Sequence, residues 1–366
     1  MADQWKTGRH RQSDGDTPRR KRLRTAGGTV VAVLLLAVGG AGYLYLHLNG
    51  NIKGVDINGA LGTNRPKNSD NGSMDILVLG SDSRSGANKT AGGGQDDGTA
   101  RSDTAMIVHV YKGHEKATVV SIPRDTLVDR PSCTTSEGKA SPAAQNVMFN
   151  DAYSVGGPAC AVKTVEALTG IRMDHYIEID FTGFQHLIDA LGGVPVTTTR
   201  AIDDNDSHLH LAAGTHTLDG EQALGLVRTR HAIGDGSDLG RIQLQQDFMK
   251  ALMARVDSIG LLSSPTKIYK VANTATSAIT TDSDLASVTG LTGLAESLKG
   301  IGSNDLTMIT MPVEYDPADP NRVIPITGRT DQVWAALSAD RAVPKTATKG
   351  SAGDDVTTGG LVKASS

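Results

Sequence analysis

Aromatic residues are scarce in this chain, at 4% of 366 positions, whereas glycine occurs 42 times. A hydrophobic content of 38% still allows a packed α/β core, and the glycines predict many loops around it. Several catalytic signatures are missing. The run Gly92–Gly98 (GGGQDDG) lacks the GK[ST] ending and following apolar helix of a P-loop, and no GxSxG elbow marks a serine hydrolase. His208-Leu209-His210 lies near Asp203, Asp204 and Asp206 but has no third ligand at a defined spacing, so it reads as a solvated loop. No internal repeat of the solenoid kind is present. Cysteine occurs only twice, as Cys133 and Cys160, which leaves either one disulfide or two buried thiols.

Charge is absent from one long stretch. Thr29–Leu48 (TVVAVLLLAVGGAGYLYLHL) contains no Asp, Glu, Lys or Arg. As a helix its twenty residues reach about 30 Å, enough to cross a hydrocarbon core. It is longer than the apolar region of a usual signal peptide and lacks a small-x-small cleavage site, so an uncleaved anchor is expected. Before it, residues 1–28 carry Lys6, Arg9, Arg11, Arg19, Arg20, Lys21, Arg22 and Arg24 against Asp3, Asp14 and Asp16. The formal net charge of −4 therefore combines a basic tail with a more strongly acidic body. The positive-inside rule puts the tail in the cytoplasm and the remainder outside, where the two thiols would tend to oxidise. Residues 1–28 show no helix-turn-helix pattern, and no nucleic-acid partner is expected.

Residues 49–73, rich in Gly, Asn, Asp and Lys without apolar periodicity, read as an extracytoplasmic stalk. The segments 75–79 (DILVL), 105–111 (AMIVHVY), 117–122 (ATVVSI), 175–179 and 194–198 read as strands, and 306–312 as another. Helices are expected over 161–169, 181–190, 240–256, 285–298 and 330–337. In the helix 240–256, Ile242, Phe248, Leu252 and Val256 recur near helical spacing. Such alternation implies a central sheet covered by helices in one domain over about 74–340. The segment 341–366, rich in Gly, Ser, Thr and Ala from about Lys345 and without periodicity, is expected to be disordered.

Acidic and arginine residues cluster at strand ends and in loops: GSDSR (Gly80–Arg84), ARSD (Ala100–Asp103), SIPRD (Ser121–Asp125), VRTRH (Val227–His231) and, at the start of the amphipathic helix, DLGR (Asp238–Arg241). The carboxyl ends of strands are where open α/β sheets bind ligands. Guanidinium groups suit phosphate oxygens because they stay charged and offer a planar fork of donors. Arg228 and Arg230, read as an extended segment, would point the same way, and Arg241 would lie in the first turn of the following helix. Asp82 and Asp103 are a pair able to hold a divalent cation that bridges phosphates. Taken singly, an SDSR turn or a PRD strand exit is as easily explained by turn chemistry, and Asp238 by helix capping.

The order LVLGSDSR, ARSDTAMIVHV, VVSIPRDTLV, FNDAYSVGG, YIEIDFTGFQHLIDALGGV, LDGEQALGLVRTRH and DLGRIQLQQ resembles the LytR-CpsA-Psr family over about residues 74–256. That resemblance implies a three-layer α/β/α sandwich with a central mixed sheet and an apolar tunnel for a polyprenyl chain. It implies a phosphotransferase that moves a glycopolymer from a polyprenyl-pyrophosphate carrier to peptidoglycan at a membrane surface. Carried over to this sequence, Asp82 and Asp103 would bind Mg2+. Arg101, Arg124, Arg228, Arg230, Arg241 and Gln245 would hold the pyrophosphate, with Arg101, Arg124, Asp125 and Asp238 in catalytic roles. A polyprenyl-pyrophosphate hydrolase or a non-catalytic wall anchor would use the same groups. Two departures stand out: Leu244 occupies a position where the family usually has Arg, and the connection from Asp82 to Asp103 is long.

Overall fold

A computed structural model describes residues 39–82, 102–135, 137–230, 236–259, 264–355 and 361–365. The first half of the expected membrane segment, residues 29–38, lies outside these residues. Residues 39–51 are helical, and among the described residues no helix is long and apolar enough to cross a membrane.

The centre is a seven-stranded mixed sheet. Its strands in chain order are β1 (Lys53–Val55), β2 (Met74–Ser81), β3 (Ser102–Val110), β4 (Ala117–Ile122), β5 (His175–Asp180), β6 (Ile279–Asp282) and β7 (Leu306–Thr310). Their spatial order is β1-β6-β5-β2-β3-β4-β7. The pairs β2·β5, β4·β7 and β1·β6 are parallel, and β2·β3, β3·β4 and β5·β6 are antiparallel. Every residue of β4 is buried, as expected for a strand covered on both faces. The segments that lie deepest are the β-branched runs read from the sequence.

The principal helices are α1 (Phe149–Thr169), α2 (Phe181–Ala190), α3 (Gly220–Arg228), α4 (Asp238–Ser258) and α5 (Pro265–Ala278). Leu77, Leu79, Ile107 and Ile122 of the sheet pack with Phe149 and Val165 of α1 and with Trp334 and Leu337 of the helix Thr327–Ser338. A second apolar cluster joins Ile188 of α2, Leu226 of α3, and Leu244 and Phe248 of α4 to Val194 and Val196. Leu244 is fully buried there, so the departure from the family pattern fills a core and does not reach the strand ends.

Helix α1 begins well before the expected segment and is interrupted at Gly156–Gly157, where Gly157 has φ +60°. A Cβ on Gly156 would stand 2.7 Å from the carbonyl of Thr134. The GG pair thus lets the helix approach the strand that carries Cys133, and Cys133 and Cys160 are joined by a disulfide with Cα atoms 5.5 Å apart. Such a bond stabilises chiefly by constraining the unfolded chain.

Four expectations change. Residues 49–73 are not merely a stalk: β1 lies at the sheet edge, Ile57 and Leu61 enter the core, and Arg65 pairs with buried Glu166 at 2.5 Å. Val194–Thr198 is a strand, but it belongs to a separate three-stranded sheet with Gly214–Leu218 and Val362–Ala364. The disordered tail is likewise corrected, because Leu361 and Val362 are buried in the second cluster and Ala347 in the first. A short apolar pair suffices to dock a strand whose partner is already formed, which composition over a window does not register. Val256, expected on the buried face of α4, is exposed.

Candidate active site

Strand direction brings the polar motifs together. Because β2, β4, β5 and β7 run the same way, their carboxyl ends share one edge of the sheet, and β3, running opposite, has its amino end there. Ser81 is paired with Ser102 across an irregularity at Gly80/Ser81. Asp82 therefore directly follows β2 and Asp103 is the second residue of β3, so the two stand at adjacent strand ends whatever the length of the chain between them. Beyond β4, Pro123–Thr126 forms a tight turn, closed by Thr126 donating from N and Oγ1 to the Pro123 carbonyl. The amino end of α1 fastens this turn, with Asn150 N donating to Arg124 O at 3.2 Å and Phe149 N to Thr126 O at 2.8 Å. Arg124 is thereby aimed at Asp103, with which its Nη1 forms an ion pair.

Asp238, in the first turn of α4, is the hub. One of its oxygens pairs with Arg241 Nη2, lies 3.6 Å from Arg124 Nε and lies 3.7 Å from Arg230 Nη2. Arg241 is buried and also donates to the Asp103 carbonyl at 2.8 Å. These contacts tie α4 to β3. Asp125 lies 3.6 Å from Arg124 Nε. Six of the expected site residues are thus assembled: Asp103, Arg124, Asp125, Arg230, Asp238 and Arg241.

The others are placed differently. Arg228 is the last residue of α3, a helix begun by an Asp219–Gln222 capping box, and not part of an extended strand. The turn at Thr229 sends Arg228 over the Phe181 ring, 4.9 Å from its centroid, while Arg230 turns to Asp238. They do not share a direction. Gln245 donates to Thr104 Oγ1 at 3.1 Å and to the Val227 carbonyl at 3.0 Å, bracing α4 against β3 and α3. Arg101, Arg84 and His231 lie outside the described residues.

Within the cluster, three guanidinium groups, Arg124, Arg230 and Arg241, stand among three carboxylates, Asp103, Asp125 and Asp238. Burial alone would raise the Asp103 carboxyl, but Arg241, Arg124 and Arg230 outweigh it and hold it below the usual range. Asp125 is moved the other way, raised by burial and by Asp238 against Arg124, Arg230 and Arg322. Burial, followed by repulsion from Arg241 and Arg124, brings the Arg230 guanidinium down to about 10. Arg124 and Arg230 face a cleft of about 560 Å³ that Asp125 and Asp238 also line.

Two sets of residues near the site were not among the expected site residues. Tyr315, Asn321 and Arg322 form the far wall of the cleft. Below Asp82, Tyr153 donates to Glu178 Oε1 at 2.8 Å and is 3.5 Å from Ser81 Oγ; burial and Glu178 raise its hydroxyl pKa. Tyr153 and Glu178 stand within the motifs FNDAYSVGG and YIEID, but neither was assigned a role there.

Asp82 and Asp103 pass a simple chemical test as Mg2+ ligands. Magnesium uses one or two carboxylates and completes its shell with water and substrate phosphate, and Asp103 is kept ionised. Among the described residues there is no cluster of three or more acidic, His or Cys ligands, so these residues offer no all-protein cage.

Fold and site together define an α/β protein that gathers arginines and carboxylates at the strand ends of a mixed sheet. The chain belongs to the LytR_cpsA_psr family, whose sequence model matches residues 44–339. It is 33% identical over 318 residues to the cell wall biosynthesis protein LcpA of Corynebacterium glutamicum, covering 77% of this chain and 58% of that protein's length. It is 33% identical over 301 residues to the polyisoprenyl-teichoic acid–peptidoglycan teichoic acid transferase TagT of Bacillus subtilis, covering 79% and 85% of the two chains. Among solved structures, a LytR-Csp2A-Psr enzyme from Actinomyces oris aligns with a TM-score of 0.59 and 25% identity over 79% of this chain and 96% of that one.

Proposed function

We propose that the protein transfers a glycopolymer from a polyprenyl-pyrophosphate carrier to peptidoglycan, forming a phosphodiester and releasing polyprenyl monophosphate. The observation that carries this reading is the arginine cluster, with Arg124 and Arg230 held beside Asp238 on a cleft of about 560 Å³. Family membership and the transferase name of the TagT relative support the kind of donor and acceptor.

In this reaction an acceptor hydroxyl attacks the phosphorus on the sugar side of the pyrophosphate. A P–O bond to the acceptor forms as the bond to the bridging oxygen breaks, and polyprenyl monophosphate leaves with that electron pair. Arg124 and Arg230 stabilise the charge that grows on the phosphate oxygens, the largest source of acceleration in such sites. Asp125, made more basic by burial and by Asp238, takes the proton of the attacking hydroxyl. Asp238 and Arg241 hold the cluster in position. Asp82 and Asp103 would hold Mg2+, which when bound neutralises phosphate charge.

The apolar run Thr29–Leu48 anchors the protein, with the basic tail in the cytoplasm and the catalytic body, an α/β/α sandwich, outside with its lipid-linked donor. Full-length protein in detergent, given a synthetic polyprenyl-pyrophosphoryl disaccharide, a peptidoglycan oligomer and Mg2+, tests the reading. The expected product is a glycan–phosphate–glycan conjugate, with the rate reduced about 10²–10³-fold in Arg124→Ala. Release of free disaccharide phosphate alone would make it a hydrolase, and binding without turnover a wall anchor.

A further inference from the structure

The far wall of the cleft is a β-hairpin formed by Val313–Tyr315 and Val323–Pro325. Its base is fixed in the core by Val313 and Val323. It is also fixed to the catalytic turn, since Val323 N donates to the Asp125 carbonyl at 3.3 Å and Val323 bridges to Thr126. The loop between the strands closes on itself: Asp316 N donates to Arg322 O at 3.0 Å, and Arg322 N to Asp319 O at 2.8 Å. Ala318 N and Asn321 N donate to the side chains of Asp316 and Asp319. The tip therefore holds a set shape above Asp125.

The tip carries two groups suited to a charged glycan. Tyr315 keeps 41% of its surface exposed, in a protein with few aromatics. Arg322 is partly exposed, with Nε 3.8 Å from the exposed Asp319 carboxylate and Nη1 donating to Asn321 O at 3.1 Å. An exposed pair at that distance is weak and readily exchanged for a better-placed anion.

We propose that this hairpin is the acceptor wall of the cleft, where Tyr315 stacks on a sugar ring of the peptidoglycan strand and Arg322 pairs with a carboxylate of that strand. This rests on the proposed transferase function and names the residues that select its acceptor. The hairpin is assigned to acceptor and not donor because of its attachment. The pyrophosphate charge is met across the cleft by Arg124 and Arg230, while the hairpin hangs from the residue that takes the acceptor's proton. An attacking hydroxyl enters opposite the leaving phosphate, on the face that Asp125 marks. Peptidoglycan offers what the wall would recognise, pyranose faces for stacking and carboxylates on its stem peptides.

Full-length protein in detergent tests the wall with two peptidoglycan oligomers, one with free carboxylates and one with them amidated. Wild type, Tyr315→Ala, Arg322→Ala and Arg322→Lys are compared for KM of acceptor, KM of donor and acceptor binding in the absence of donor, with thermal melts as the folding control. Either alanine variant should weaken acceptor binding and raise its KM roughly tenfold without raising the donor KM. Arg322→Lys should recover part of the loss, and on the amidated oligomer wild type and Arg322→Ala should converge. An acceptor KM that does not move in variants of a working transferase overturns the wall alone, as does a rise in donor KM in its place. Wild-type protein that neither transfers nor hydrolyses the donor overturns the transferase function, and the wall with it.

Discussion

A single oxygen of Asp238 faces guanidinium nitrogens of Arg124, Arg230 and Arg241, so this carboxylate determines where the cations stand. Removing it leaves the buried Arg241 without its anion. Asp238→Ala should therefore cost about 3 kcal/mol of stability in urea unfolding, beyond any loss of activity. Asp125 has a different task and leaves a different trace. Its pKa is raised by burial and by Asp238, against the opposing fields of Arg124, Arg230 and Arg322. The carboxylate accepts a proton only above that raised value, so the transfer rate should fall as pH drops through a range above 3.8, the ordinary carboxyl value. In Asp125→Asn the rate should be low at every pH and this acid limb should be gone.

Among the secondary-structure elements, the junction of β5 and β6 is held by ionisable groups far along the strands from the cleft. His175 Nδ1 lies 3.3 Å from Asp282 Oδ2, which also accepts the Tyr176 N–H at 2.9 Å. Burial lowers the His175 pKa, but the bond and charge of Asp282 outweigh it and leave it above 6.5. The resulting stability is complete below pH 6.5 and is lost as pH rises through the raised value. Burial raises Asp282, yet His175 and the backbone N–H groups bring it below 3.8, so its share is present above pH 3.8 and is lost as pH falls through the lowered value. The pair should contribute fully between these limits. His175→Gln should accordingly destabilise the protein more at pH 6 than at pH 9 in urea titrations, and an equal effect at both would contradict the ion pair.

For the whole molecule, both ends of the body matter to its integrity. The edge strand β1 comes from residues that resemble a linker, and Val362–Ala364 completes the small sheet. A protein truncated after Asp340 would keep every motif residue but would uncover Val196, Phe248 and their neighbours in the second cluster. Loss of buried Leu361 and Val362 alone should cost about 3 kcal/mol or more, visible as a lower Tm and increased binding of an apolar dye. An unchanged Tm would show that the small sheet holds without its third strand.

Much of the fold and the site was legible from local pattern. Short β-branched runs specify strands because burial on both faces demands continuous apolar residues, and the motif order marked the family and the strand ends where its charges gather. The twenty uncharged residues and the basic flank likewise depend only on composition along the chain. Other features needed the folded chain. Arg228 and Arg230 part company because a helix ends between them, and side-chain direction follows backbone conformation and not spacing. Asp82 and Asp103 meet through strand register, which the length of the intervening chain does not reveal. Tyr315 and Arg322 reach the cleft only because β7 delivers a hairpin to the same sheet edge. The tail strand forms because a partner edge and an apolar cluster are already in place to receive it. Local sequence determined which residues could form strands, helices and an anion site; contacts between distant segments decided which of them face one another.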